Sequence, residues 1–129
     1  MATPFKVGEL DHVVVRCLDE KRAYDFYTQE LGLVEERRLD ALGLIQLRAG
    51  SGMVDLLPTK ERDANAPNMD HFCLGIVTDD MNEVARHLRE RGINVLGEPV
   101  ERYGARGSGL SIYINDTEGN VVELKQMPK

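Results

Sequence analysis

Four side chains of types that bind metals or move protons recur in this sequence as two matching pairs. Asp11-His12 opens the apolar run Val13-Val14-Val15, and Asp70-His71 opens Phe72-Cys73-Leu74. Each half of the chain later places a carboxylate between aliphatic residues, as Val54-Asp55-Leu56 and as Val122-Glu123-Leu124. Residues two apart in a strand share a face. With Val13 and Val15 packed under a helix, His12, Val14 and Arg16 fall opposite; Phe72, Leu74 and Ile76 likewise leave His71 and Cys73 opposite. The same alternation sends Asp55 and Glu123 to the face away from the helices. If the two faces meet about an approximate two-fold axis, two imidazoles and two carboxylates surround one point. Such a cluster calls for a cation, because buried carboxylates without a partner are costly. Mixed nitrogen and oxygen donors suit one divalent ion of Mn, Fe, Co, Ni or Zn.

The elements that must position these residues are written twice. In the first half Asp19 can cap a helix with apolar positions Ala23, Phe26, Tyr27 and Leu31, and Gly32 supplies the left-handed stop. In the second, Thr78 or Asp79 can cap a helix with the stripe Met81, Val84, Ala85 and Leu88, ending at Gly92. Three strands are expected after each helix: Val34 to Leu39, Leu44 to Arg48 and Met53 to Leu57, then Ile93 to Leu96, Leu110 to Asn115 and Val121 to Gln126. The fold class is therefore α+β, as two tandem βαβββ modules over about 8–57 and 69–127 in a single domain spanning 1–129, joined by a polar linker over 58–68. Gly97 to Gly109, with four glycines and Arg102 and Arg106, reads as a flap or a plain flexible loop.

Gln46, Arg48, Arg16, Ser111 and Tyr113 lie in strands whose alternation points them into the cavity, to the surface or into core hydrogen bonds. His87 sits off the apolar stripe of its helix, on the solvent side. Cys17 and Cys73, the only two cysteines among 129 residues, lie in apolar runs and read as buried free thiols of a reducing compartment. The N-terminus lacks the charged start and apolar stretch of a signal peptide, and no run approaches a membrane span, so the expected location is the cytoplasm. A net charge of −6 argues against nucleic acid as a partner. Small molecules are the expected partners, with no membrane contact.

These residues resemble the vicinal oxygen chelate superfamily of glyoxalase I, methylmalonyl-CoA epimerase, extradiol dioxygenases, fosfomycin-modifying enzymes and bleomycin-resistance proteins. The resemblance runs through Asp11-His12, Phe26-Tyr27 with Leu31-Gly32-Leu33, Asp70-His71, and the hairpin Ile114 to Glu123. It implies a cupped eight-stranded sheet around the metal. It also implies His12, His71 and Glu123 as metal ligands, with Asp55 standing where glyoxalase I has a glutamate. An aspartate is shorter by one methylene, so Asp55 is a fourth ligand, a base, or a group that supports the ligands from behind. The resemblance further implies a homodimer and a glyoxalase-like lyase or isomerase. In that enzyme the metal meets two adjacent substrate oxygens and Glu123 and Asp55 are the catalytic carboxylates; Arg16, Gln46, Arg48 and Ser111 are the candidates that strand alternation offers for touching substrate. An extradiol-type dioxygenase is the alternative, with Tyr113 as its acid/base group. A drug-binding protein of the bleomycin-resistance kind is the other, although those proteins lack the ligands present here.

Overall fold

The structure is a computed structural model that describes Pro4, residues 9–61 and residues 68–128. Residues 62–67, the centre of the expected linker, lie outside the described residues. In chain order the elements are β1 (His12–Cys17), α1 (Glu20–Asp25) with a wider π-helical continuation (Phe26–Glu30), β2 (Val34–Leu39), β3 (Leu44–Ala49) and β4 (Gly52–Pro58). The second module repeats them as β5 (Phe72–Ile76), α2 (Met81–Glu90), β6 (Val100–Gly104), β7 (Gly107–Asn115) and β8 (Val121–Gln126).

Hydrogen bonding divides the eight strands into two sheets of four, ordered β1-β4-β3-β2 and β5-β8-β7-β6. This order is what builds the site. The helical crossover returns the chain so that the first strand of each module lies parallel to its last, and the histidine strand becomes the neighbour of the carboxylate strand. Val14 lies across from Asp55 and Cys73 across from Glu123.

Local chemistry explains the ends of the helices. Asp19 caps α1 through its carboxylate, which accepts from the Arg22 amide at 3.0 Å. Gly32 closes that segment at φ +79°, a value costly for a side chain. The cap of α2 is neither Thr78 nor Asp79 but Asp80. The Thr78 hydroxyl accepts from the Asp80 amide at 3.2 Å, leaving the Asp80 carboxylate to accept from Asn82 and Glu83 at 3.0 and 3.2 Å. The expected apolar stripe is borne out, with Met81, Ala85 and Leu88 buried.

Two expectations in the second module fail. Residues 93–96 form no strand and meet β7 through a single bridge from Val95 to Ile114. Gly97 at φ +84° and Pro99 break the run, and pairing with β7 resumes only at Val100 opposite Ser111. The expected flap over 97–109 is instead largely the β6–β7 hairpin, in which Arg102 pairs with Gly109 and Gly104 with Gly107.

One apolar cluster serves both modules, drawing Val15, Tyr27, Leu47 and Leu56 from the first and Ile112, Ile114, Val122 and Leu124 from the second. A polar latch fastens the modules at their junction. The buried Tyr27 hydroxyl donates to Asp116 at 2.6 Å, and the Glu118 carboxylate accepts from the backbone amides of Leu18 and Asp19 at 2.8 and 3.0 Å. Glu118 thereby places a negative charge at the start of α1, where the helix dipole favours it. Asp116 is held in turn by the amides of Glu118 and Asn120 and by the Asn120 side chain. Burial and the Asp116 carboxylate push the Tyr27 phenol well above its ordinary value.

Candidate metal centre

The structure gathers the expected residues two by two. In the first module His12 Nε2 lies 4.0 Å from Asp55 Oδ2; in the second His71 Nε2 lies 3.2 Å from Glu123 Oε1. Both carboxylates are buried, while the imidazoles are 43% and 36% exposed and reach into open space. A cavity of about 530 Å³ at the N-terminal ends of β1 and β5 is lined by both His12 and His71. Among the described residues no three His, Cys, Asp or Glu side chains converge as a metal-binding group. Among the described residues the four thus stand as two imidazole–carboxylate pairs, or half-sites. The apolar cluster and the latch join the modules, and each carboxylate stays with the imidazole of its own sheet.

Each pair has supports that orient it. His12 Nδ1 lies 2.7 Å from Asp11 and His71 Nδ1 lies 2.5 Å from Asp70. An imidazole tied at Nδ1 to a carboxylate turns Nε2 outward as a fixed, more basic donor, the arrangement that metal-ligating histidines usually adopt. The hydrogen bond to Asp11, followed by the charge of Asp55, raises the pKa of His12. Gln46 donates to Asp55 Oδ2 at 3.2 Å, and the Ser111 hydroxyl donates to Glu123 Oε2 at 2.6 Å. Asp55 Oδ1, buried in a residue only 2% exposed, has no hydrogen-bond partner. An orphaned carboxylate oxygen of this kind is costly unless a cation or a water meets it. The donor set of two imidazole nitrogens and two buried carboxylates, one of them with an orphaned oxygen, fits a divalent ion.

The remaining expected residues separate. Tyr113 packs edge-on against His71 with ring centroids 5.7 Å apart, and its hydroxyl accepts from Arg102 at 3.1 Å. Arg16 is exposed at the far end of β1. Arg48 is turned away: it pairs with Glu36 at 3.0 Å and lines a different, largely apolar cavity of about 550 Å³ bordered by α2. His87 is exposed, as expected, and lines that second cavity. Cys17 and Cys73 are both free, but only Cys17 is buried. Cys73 is exposed on the site face beside Glu123, because alternation from the buried side of β5 places it there; its partial burial and the Glu123 charge push its thiol up to about 11. Sequence reasoning treated Asp11 and Asp70 only as part of a strand-opening motif and missed their bonds to the imidazoles. Their adjacency to histidine in both halves was the available signal.

A family model described as Glyoxalase/Bleomycin resistance protein/Dioxygenase superfamily matches residues 9–124. The chain belongs to this superfamily. Within the Glyoxalase/Bleomycin resistance protein/Dioxygenase superfamily, it is 36% identical over 123 residues to the glyoxalase domain-containing protein RDO1 of Mycosarcoma maydis, covering 92% of this chain and 68% of that one. It is 26% identical to the mitochondrial methylmalonyl-CoA epimerase of Homo sapiens, covering 95% of this chain and 76% of the epimerase. Among solved structures, virulence protein STM3117 of Salmonella typhimurium superposes with a TM-score of 0.75 at 28% identity, covering 96% of this chain and all of that one. Proteins of this superfamily include a lyase and an epimerase, and the chain shares the fold of the solved lactoylglutathione lyase of Agrobacterium tumefaciens with a TM-score of 0.69. No helix among the described residues is long and apolar enough to cross a membrane.

Proposed function

We propose that the protein is a divalent-metal-dependent, glyoxalase-like lyase or isomerase that moves a proton beside a carbonyl of a small substrate. The observation that carries this reading is the pair of matched half-sites, each with an outward Nε2 and a buried carboxylate on one sheet face. His12, His71, Glu123 and Asp55 would hold the ion. When bound, it would supply Lewis-acid stabilisation of charge developing on substrate oxygen. Four protein donors leave two adjacent positions on an octahedral ion, enough for two neighbouring oxygens of one substrate. That count favours proton transfer over ring cleavage, which needs a further place for oxygen. The similarity to an epimerase supports the same side of the choice.

The chain's own groups then have separate tasks. Glu123, fixed at one oxygen by Ser111, has its other oxygen toward His71 and is the group to take and return a substrate proton. Asp55, farther from its imidazole and free at Oδ1, is the alternative base. Because one chain offers only half-sites, a homodimer would complete each centre, setting His12 and Asp55 of one copy against His71 and Glu123 of the other. Val14, which lies across from Asp55 on the first of these faces, is apolar yet 40% exposed, which supports a covering partner.

The test combines composition with turnover. Elemental analysis of protein purified without added metal should find about one ion per chain, and hemithioacetals or 2-acyl thioesters should turn over without oxygen uptake. Ring cleavage of catechols with oxygen consumption on an electrode would instead establish the dioxygenase alternative.

A further inference from the structure

Two residues beyond Glu123 on the same face of β8 stands Lys125. Residues of this type are rarely buried unless paired, yet Lys125 is only 7% exposed. No ion pair or side-chain hydrogen bond joins its ammonium to any described residue. Glu123, its nearest acidic neighbour along the strand, is already engaged by Ser111 and His71.

The sheet makes room for this lysine with glycine. Gly75 lies directly across from it on β5. A methyl group on Gly104 would stand 3.3 Å from Lys125 Cδ and Cε; one on Gly109 would stand 3.2 Å from Nζ and 2.7 Å from the Gln126 carbonyl. The β6–β7 hairpin thus closes over the lysine stem and delivers Nζ to a cavity of about 200 Å³. That cavity is also lined by Cys73, Glu123, Tyr103 and Arg106. At roughly 30 Å³ per water molecule it has space for several. The first module has no counterpart, since the position two beyond Asp55 is Leu57, opposite Arg16.

We propose that this cavity is an anion subsite. Lys125 forms its charged floor and Arg106 its rim, and it receives a carboxylate or phosphate group of the substrate beside the metal half-site of the second module. An unpaired cation in a recess gains most from a charge-assisted partner that enters from solvent. The inference deepens the metal-dependent reading by restricting the substrate class: a small molecule with two adjacent oxygens at one end and an anionic group a few bonds away. The Lys125 side is the anchor, so the reacting carbon lies toward Glu123.

The experiment is a nuclear magnetic resonance titration with acetate and, separately, inorganic phosphate. It follows the Gly109 amide in the wild type, in Lys125→Met, in Lys125→Arg and in His71→Ala. Saturable shifts of the wild-type Gly109 amide by at least one anion are expected. Lys125→Met should weaken binding about tenfold or more, Lys125→Arg should largely retain it, and His71→Ala should leave it unchanged. Preference for acetate or phosphate assigns the chemistry of the group. An unshifted Gly109 amide in the wild type with both anions, or equal binding by Lys125→Met, overturns the subsite. The wild-type arm stands even if Lys125→Met fails to fold. The His71→Ala arm separates this result from the metal reading, because that variant is the one whose metal content decides the other.

Discussion

The two half-sites of this chain differ by one methylene and by the partner that holds the acid. In the second module the longer Glu123 reaches to 3.2 Å of its imidazole and is fixed from the far side by Ser111. In the first, Asp55 stops 4.0 Å short, receives a weaker bond from Gln46 directly across the sheet, and keeps one oxygen without a partner. Both pairs are held in place, the second by the shorter contacts and the first with one carboxylate oxygen to spare. Lys125 adds to the asymmetry, since Leu57 occupies the corresponding place in the first module. A duplicated fold thus need not duplicate its contacts: the same strand positions carry a doubly engaged carboxylate in one copy and a carboxylate with a spare oxygen in the other.

The largest effect expected from breaking the comparison is loss of the metal. His71→Ala should abolish metal content measured by elemental analysis, because it removes the donor of the better-ordered half. Full occupancy in that variant would eliminate the proposed ligand set. Removing the supports should separate the modules further. Ser111→Ala leaves a buried carboxylate oxygen unpaired and should cost about 2 kcal/mol in denaturant unfolding, whereas Gln46→Ala, losing a longer bond, should cost about half that.

The latch between the modules gives a smaller and pH-dependent effect. Tyr27 has its pKa raised by burial and by Asp116, so its neutral form is favoured in the fold. Its contribution is therefore complete below the ordinary phenol value near 10 and is lost as pH rises from there through the raised folded value. Tyr27→Phe should lower stability by about 1 kcal/mol at neutral pH and flatten the loss above pH 10, as followed by thermal unfolding across pH. Asp55→Glu should have the smallest effect and sharpen the comparison most. By giving the first module the reach of the second, it should tighten metal binding by about tenfold or less in competition with a chelator. A weaker site in that variant would mean that the shorter side chain is already at its proper distance.

Much of this arrangement was legible in the residues. The repeated Asp-His doublet, the aliphatic-flanked carboxylates and period-two alternation place His12, His71, Asp55 and Glu123 on the faces where they are found, because each depends on strand phase alone. What alternation leaves open is distance between sheets. The packing of the modules is set by Tyr27, Asp116 and Glu118, residues separated by about ninety positions and drawn together only by the tertiary fold. The strand at 100–104 escaped detection because Glu101-Arg102-Tyr103 is exposed and lacks an apolar face, while the more hydrophobic Ile93 to Leu96 looked more strand-like. Lys125 was readable as the partner in phase with Glu123, but a lysine near a chain end is ordinarily solvated, and only the surrounding glycines show that this one is enclosed.

Whether these half-sites are completed between two copies of the chain is decided by subunit mixing. His12→Ala and His71→Ala are each purified, mixed in equal amounts under conditions that exchange subunits, and assayed for bound metal. Half of the dimers then carry one variant of each kind, and each has one site with both histidines intact and one with neither. Each variant alone is expected to be metal-poor, and the mixture to recover about a quarter of the wild-type metal content. A mixture no better than its parents, from variants shown to exchange, would place the site within a single chain and rule out completion by a second copy.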